Sequence, residues 1–279
     1  MLESFQSLPA YDQFIRIETK FFIPRSSLRG LESLLYSYMS PVDGTKTAGF
    51  TKVESHYIET PELTFFTDAL KKPQNRMKVR IRKYYDGGTK FQGSFIEIKR
   101  KENGVSKKKR FRIGDWEESE ILRGHTLAIT PRLESLNFNL RRDQLISRVT
   151  KINELIENQK PKYAARVAYE RRAFEKQDLR ITIDQNLESE IIYSFLPIIR
   201  SHTEEIMNSN YWLVGSEMQK IYDRTDFAVV EVKHSGKIPE WMVAGFKYLM
   251  CAQDVSFSKY VWSISEAISG RISCRDLAP

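Results

Sequence analysis

The stretch Arg76 to Arg112, RMKVRIRKYYDGGTKFQGSFIEIKRKENGVSKKKRFR, decides how the chain is read. It holds fourteen Lys or Arg against three acidic residues, so the basicity is local. A solvated tail would also be charge-rich, but here the cations alternate with apolar residues: Met77, Val79 and Ile81 interleave with Lys78, Arg80 and Arg82. Side chains alternate faces along a strand, so this period gives one apolar and one cationic face. After Gly93, Ile96 and Ile98 alternate with Glu97, Lys99 and Lys101, and the turn pair Asn103-Gly104 leads into Lys107 to Arg112. That pattern predicts a hairpin.

The same period recurs outward from this stretch. Ile15, Ile17 and Phe21 alternate with Arg16, Glu18 and Lys20. Ile181 and Ile183 separate Arg180, Thr182 and Asp184, while Val230 and Val232 flank Glu231 and set it on the face of Lys233. Helices are predicted over Arg25 to Met39, Pro61 to Leu70, Asp115 to Arg123, Arg142 to Glu157, Pro239 to Met250 and Ser258 to Ser269, several opening at or just after a proline. Asn158 to Lys162, NQKPK, reads as a loop and not a boundary, so the chain is read as a single domain over residues 1–279.

The 279 residues are 41% hydrophobic and 29% charged, which excludes a disordered or low-complexity chain. A net charge of +8 favours anionic partners. Cys251 and Cys274 are too few for a disulfide scaffold, and no CxxC pair suggests structural zinc. Met1 to Pro9 shows no secretory signal, and the most apolar run, Ile191 to Ile199, is under half of the roughly 20 residues a membrane span needs. A cytoplasmic protein without a transmembrane segment is expected.

An antiparallel sheet can simply expose a polar face to water. Here, however, E-x-K pairs recur on three strands, Glu18/Lys20, Glu97/Lys99 and Glu231/Lys233. A closed barrel would gather these faces into a basic channel dotted with carboxylates, a lining that suits a polyanion together with a divalent cation.

At this point the residues resemble a known family. RMKVRIR at Arg76 to Arg82, FIEIKRK at Phe95 to Lys101, YIETPEL at Tyr57 to Leu63, RITID at Arg180 to Asp184 and EVKHSGKIPEW at Glu231 to Trp241 are similar to the VTC (vacuolar transporter chaperone) polyphosphate polymerase domain, in family order from about Phe14 to Ile264. The resemblance implies a triphosphate tunnel metalloenzyme: an α+β fold with a closed antiparallel eight-stranded β-barrel and helices packed outside. It also implies an ATP-dependent polymerase that moves the γ-phosphoryl group of ATP onto inorganic polyphosphate with Mn²⁺ or Mg²⁺. Such transfer needs positioning and charge neutralisation more than covalent work, so the lack of a Walker A or GxGxxG sequence is no obstacle. His56, His125, His202 and His234 show no metal-ligand spacing and are read as structural or surface residues.

By matching motif positions, the resemblance makes Lys20, Arg80, Arg82, Lys99, Arg171, Arg180 and Lys259 phosphate-binding and Glu231 the metal ligand, with Lys233 beside it. In YERRAF it selects Arg171 over Arg172 and turns Tyr169 inward, leaving Arg172 as an outward solvated charge. Lys108 and Arg110 are weaker phosphate-binding candidates because the orientation of their strand is open. Glu18, Glu97 and Asp184 are either further metal ligands or ion-pair partners of nearby cations. Glu231 has the same alternative, an internal ion pair with Lys233. Ser256 stands where eukaryotic members carry a second lysine, three residues before Lys259. Other readings are an inorganic triphosphatase or nucleotidyl cyclase of the same superfamily, and a non-catalytic polyphosphate or RNA binder. Against nucleic acid, Tyr84 and Tyr85 are the only adjacent aromatics in the basic stretch.

Overall fold

The computed structural model describes residues 17–42, 49–103, 105–209, 227–249, 252–253, 257–270 and 273–275. In chain order the elements are β1 (Ile17–Pro24), α1 (Leu28–Tyr38), β2 (Ser40–Pro41), β3 (Thr51–Glu59), α2 (Thr64–Lys71), β4 (Arg76–Asp86), β5 (Lys90–Glu102), β6 (Val105–Ile113), α3 (Asp115–Arg123) and α4 (Pro131–Leu136). There follow α5 (Arg142–Gln159), β7 (Lys162–Lys176), β8 (Leu179–Ile192), α6 (Leu196–Met207), β9 (Phe227–His234), α7 (Glu240–Tyr248), β10 (Ala252–Gln253), α8 (Lys259–Ile268) and β11 (Ser273–Arg275). The fold is α+β, with a large and mainly antiparallel sheet. Ile15, Arg16, Gly104, Met250, Cys251 and Ser256, which carried expectations above, lie outside the described residues. Among the described residues no helix is long and apolar enough to cross a membrane.

Two compact units emerge: Met1–Val42 with Ala173–Ile183 and Phe227–Ser256, and Asp43–Arg172 with Asp184–Asp226 and Phe257–Pro279. The larger is built on the antiparallel order β7, β3, β4, β5, β6. In β4 to β6 the alternation read from the sequence is present, with Val79, Ile81, Ile96, Phe111 and Ile113 all buried on one face. α5 adds Leu145, Val149, Ile152, Leu155 and Ile156, spaced as one helical stripe, to the same core. Burying each such side chain stabilises by about 1.5–3 kcal/mol. Asn103 takes the left-handed conformation (φ 47°) that an Asn-Gly hairpin turn requires.

The closed eight-stranded barrel is not what the ladders show. Among the described residues there are eleven strands, and β6 has a ladder on one side only, to β5. Lys107, Lys108, Lys109 and Arg110 run consecutively along β6, a charge density that discourages a further strand from pairing there.

The helix expected from Pro61 starts instead at Thr64. Leu63 sits in the left-handed region (φ 54°), and no N-cap side chain serves the helix. The buried carboxylate of Glu59 accepts from the backbone N–H of Phe65 (2.9 Å) and Phe66 (2.8 Å), so the helix begins where that cap can reach. The apolar run at Ile191 to Ile199 splits between the end of β8 and α6, where Pro197 occupies the first turn, a position that needs no N–H.

The smaller unit sets β1 between β10 and β9 and pairs β2 with the end of β7. Its core joins Ile23, Leu31 and Leu35 to Ile181, Val230, Met242 and Phe246. Gly245 of α7 lies so close to Leu34 of α1 that a Cβ there would overlap the leucine side chain.

Candidate functional site

Register fixes the polar face of the larger unit. Paired residues of neighbouring strands share a face, and β3 sets Tyr57 opposite Arg80 and Ser55 opposite Arg82. β4 sets Arg80 opposite Glu97 and Lys78 opposite Lys99, and β6 sets Arg110 and Lys108 opposite that same glutamate and lysine. On the other side of β3, Thr51 and Val53 pair with Arg171 and Tyr169. The cationic face predicted for Arg80, Arg82 and Lys99 is thereby continued by Lys108, Arg110, Tyr169 and Arg171.

Two buried carboxylates organise these cations. Glu97, 1% exposed, receives Arg80 Nε (3.1 Å) and Nη2 (2.9 Å) on Oε2 and Lys108 Nζ (2.6 Å) on Oε1, with Arg110 Nη1 at 3.9 Å. Asp184, fully buried, receives Arg171 through Nε on Oδ1 (2.6 Å) and Nη2 on Oδ2 (2.7 Å), and Lys259 Nζ on Oδ2 (2.6 Å). Burial alone would raise both acids, but Arg80, Arg82 and Lys108 at Glu97, and Arg171 and Lys259 at Asp184, outweigh it and hold both below the usual carboxylate range. Both are therefore ionised near neutrality.

Tyr169 lies at the centre of the remaining cations. Its hydroxyl accepts from Arg82 Nη2, and its ring lies 4.7 Å from Lys259 Nζ and 5.3 Å from the Arg171 guanidinium. Burial pushes its phenol up to about 12, so it stays neutral. Arg82 also donates to Ser55 Oγ (3.4 Å), and Arg80 Nη1 donates to Tyr57 Oη (3.3 Å). Lys108 is pushed down to about 8, by burial and then by Arg80 and Arg82 against the opposing pull of Glu97. Arg172 alternates to the opposite face and is half-buried instead of solvated.

In the smaller unit two E-x-K segments cross. Glu18 lies opposite Lys233 and Lys20 opposite Glu231 in the β1–β9 ladder. Lys20 Nζ is 3.0 Å from Glu18 Oε1, while Lys233 Nζ contacts Glu231 Oε1 and lies 3.8 Å from Glu18 Oε2. Arg180 belongs to this unit as well and pairs loosely with the exposed Glu175 (3.8 Å).

The VTC domain model matches residues 15–268. The chain belongs to the VTC domain family. No curated protein matches its sequence. Among solved structures it is similar to a candidate adenylate cyclase from Bacillus halodurans (12% identity, 85% of this chain and 88% of that one, TM-score 0.42). A candidate adenylate cyclase from Vibrio parahaemolyticus is similar as well (9% identity, 91% and 99%, TM-score 0.44), as is the PH1012 protein of Pyrococcus horikoshii (11% identity, 91% and 90%, TM-score 0.37).

The VTC domain's polar face includes residues that the sequence reading passed over. Lys78 has the parity of Arg80 and donates to Ser258 Oγ (2.8 Å), the N-cap of α8. Alternation alone marks it. Tyr57 and Ser55 join through cross-strand register, which a linear sequence does not display. Tyr260 stacks on Tyr57 (centroids 4.7 Å apart) and donates to Glu59 Oε2. The histidines are structural or peripheral: His56 is buried, stacked on Tyr163 (5.1 Å) and bonded to Glu54, while His125 is exposed beside Glu120.

Among the described residues no group of three or more His, Cys, Asp or Glu converges to hold a metal. Glu97 and Asp184 fit a metal poorly, since their oxygens already carry arginine and lysine donors. Glu18 and Glu231 carry lysine donors too, Lys20 and Lys233 on Glu18 and Lys233 on Glu231, but they are two carboxylates that share one cationic atom, Lys233 Nζ. A Mg²⁺ or Mn²⁺ site needs only one or two protein carboxylates when phosphate oxygens and water complete the shell.

Proposed function

We propose that this VTC domain is an ATP-dependent polyphosphate polymerase. The observation that supports this most is the polar face of the larger unit, where two ionised, buried carboxylates hold arginines and lysines that outnumber them. Such a face keeps guanidinium and ammonium donors pre-positioned and leaves net positive charge for a phosphate chain. Arg80, Arg82, Arg110 and Arg171 bring guanidinium charge and Lys99, Lys108 and Lys259 bring ammonium charge to the phosphate oxygens. Tyr169, neutral and ringed by cations, orients Arg82 and shields Lys259.

In the reaction, a terminal oxygen of polyphosphate bonds to the γ-phosphorus of ATP. The bond from that phosphorus to the β–γ bridging oxygen breaks, and ADP leaves with its electron pair. The protein contributes alignment and neutralisation, and no protein nucleophile is required. Glu231 with Glu18 would hold Mn²⁺ or Mg²⁺, which supplies charge neutralisation at the nucleotide phosphates. Lys20, Lys233 and Arg180 are read as further phosphate-binding cations of the smaller unit. ATP and inorganic polyphosphate are the partners, and nucleic acid is not.

Incubation of the pure protein with ATP and Mn²⁺, with the products resolved on a gel, tests this. A ladder of phosphate chains that a polyphosphatase digests is expected. Free phosphate alone would replace the polymerase with a triphosphatase, and a cyclic nucleotide would replace it with a cyclase.

A further inference from the structure

The start of α8 is pinned by three consecutive side chains that each reach a different strand, and all the residues involved belong to the larger unit. Ser258, the N-cap, accepts from Lys78 Nζ of β4 (2.8 Å) and from the backbone N–H of Val261 (3.4 Å). Lys259 gives its ammonium to Asp184 Oδ2 of β8 (2.6 Å), and Tyr260 donates its hydroxyl to Glu59 Oε2 of β3. The last contact joins two buried groups, Tyr260 and Glu59, that the proposed reaction does not use.

Apolar packing is non-directional, so Ile264 keeps α8 on the core without fixing how far the helix is turned. Hydrogen bonds are directional and can fix it. The Tyr260 ring stacks on Tyr57 (centroids 4.7 Å apart) and meets Phe66 edge-on (6.4 Å), which confines the direction of its hydroxyl. Burial, and then the Glu59 charge, push that phenol well above its ordinary value, so it keeps the proton that it donates. The acceptor is held as firmly, since Glu59 also accepts from the backbone N–H groups of Thr60 (2.8 Å), Phe65 and Phe66. Lys259 is the next residue on the same turn, so a rotation of Tyr260 carries Lys259 with it. The Lys259 ammonium lies 4.7 Å from the Tyr169 ring and 5.6 Å from the Phe257 ring, a setting that a turned helix would not reproduce.

We propose that Tyr260, anchored on Glu59, is a positioning residue that sets the rotation of α8 and so places the Lys259 ammonium at the polar face for a phosphate chain. This rests on the reading of that face as a phosphate-binding one, and it adds a residue that itself touches no phosphate.

Isothermal titration calorimetry of the full chain with inorganic triphosphate, without ATP or metal, tests it on the wild type, Tyr260→Phe, Lys259→Met and the double variant. Tyr260→Phe removes the hydroxyl alone and leaves the ring stack and the Glu59 cap of α2 in place. Lys259→Met is expected to weaken binding about tenfold and Tyr260→Phe about fivefold, on the scale of one charge-assisted contact, while the double variant binds no more weakly than Lys259→Met. A purely structural role would instead make the two losses multiply. Multiplied losses, or a Tyr260→Phe protein that binds like the wild type, overturn the positioning role. Should Tyr260→Phe fail to fold, Glu59→Gln takes its place and must likewise weaken binding only while Lys259 is present. Coupling between Tyr260 and Lys259 without a polyphosphate ladder from ATP would overturn the polymerase and keep the positioning role; a ladder without the coupling would do the reverse.

Discussion

Arg80 and Glu97 face each other across β4 and β5, and both Nε and Nη2 of the arginine point at one carboxylate oxygen, Oε2. The other oxygen is left to Lys108, so this single buried charge holds two strands' cations in place. Glu97→Gln keeps the shape and removes the charge. Stability to urea is expected to fall by about 3–5 kcal/mol, as when one partner of a buried pair is lost, while affinity for inorganic triphosphate rises. Unchanged stability in denaturation curves would mean that the cations do not depend on Glu97.

Arg171 and Arg172 are adjacent in sequence and opposite in orientation. Arg171 binds Asp184 through two donors, and its guanidinium lies 5.3 Å from the Tyr169 ring centroid. Arg171→Ala should cut ATP turnover by about tenfold or more, and Arg171→Lys should recover little of it, since an ammonium cannot reproduce the fork. Arg172→Ala should leave turnover within about twofold, by the same logic of phosphate contact. Equal losses at both positions, in variants whose circular dichroism is native, would refute the assignment of faces.

Glu59 gives the fold a pH dependence of opposite sign from that of the buried Glu97 and Asp184. Burial pushes it up to about 7, against the hydrogen bonds of Tyr260 and of the Phe65, Thr60 and Phe66 backbone, from an ordinary value of 4.5. Between those values the unfolded chain releases this proton while the folded one keeps it, so the Glu59 contribution to stability declines as pH rises from 4.5 to about 7 and is flat above. The decline is on the order of 3 kcal/mol. Thermal melts of wild type and Glu59→Gln at pH 5 and pH 8 isolate it: the wild type should lose ground relative to the variant at the higher pH. A constant difference would rule it out.

Glu231 is the carboxylate on which metal dependence should turn. Glu231→Gln is expected to abolish Mn²⁺-dependent turnover, while polyphosphate binding without metal persists or tightens as a negative charge is removed. If turnover and its Mn²⁺ requirement survive, Glu231 serves only as the ion-pair partner of Lys233, and Glu18 becomes the next residue to substitute.

What the sequence displays and what it hides follow from the physics of each element. β4, β5 and β6 were legible because one face is apolar and the other charged, which leaves a period of two in the letters. β7 was not, since Tyr163 to Tyr169 is buried along its whole length and carries no alternation. The start of α2 depends on Glu59, several residues upstream of the N–H groups it caps, and no local helix signal encodes that reach. At the site, alternation put Lys78, Arg80 and Arg82 on one cationic face, while the family resemblance joined Lys99 to Arg80 and Arg82 and left Lys78 out. Which carboxylate each cation meets, such as Lys259 on Asp184 or Arg180 beside Glu175, depends on register and on chain segments far apart in sequence.

The crossed E-x-K segments of β1 and β9 also act as a check on assembly. In the native ladder every charge meets its opposite: Glu18 with Lys233, and Lys20 with Glu231. A slip of two residues preserves which side chains face inward, so hydrophobic patterning cannot reject it. Slipped one way, Lys20 would lie opposite Lys233; slipped the other, Glu18 would lie opposite Glu231. Either misalignment sets like charges face to face and is penalised. Two strands from distant parts of the chain, whose pairing must close a long loop, thus carry their own proofreading code, written in four charges.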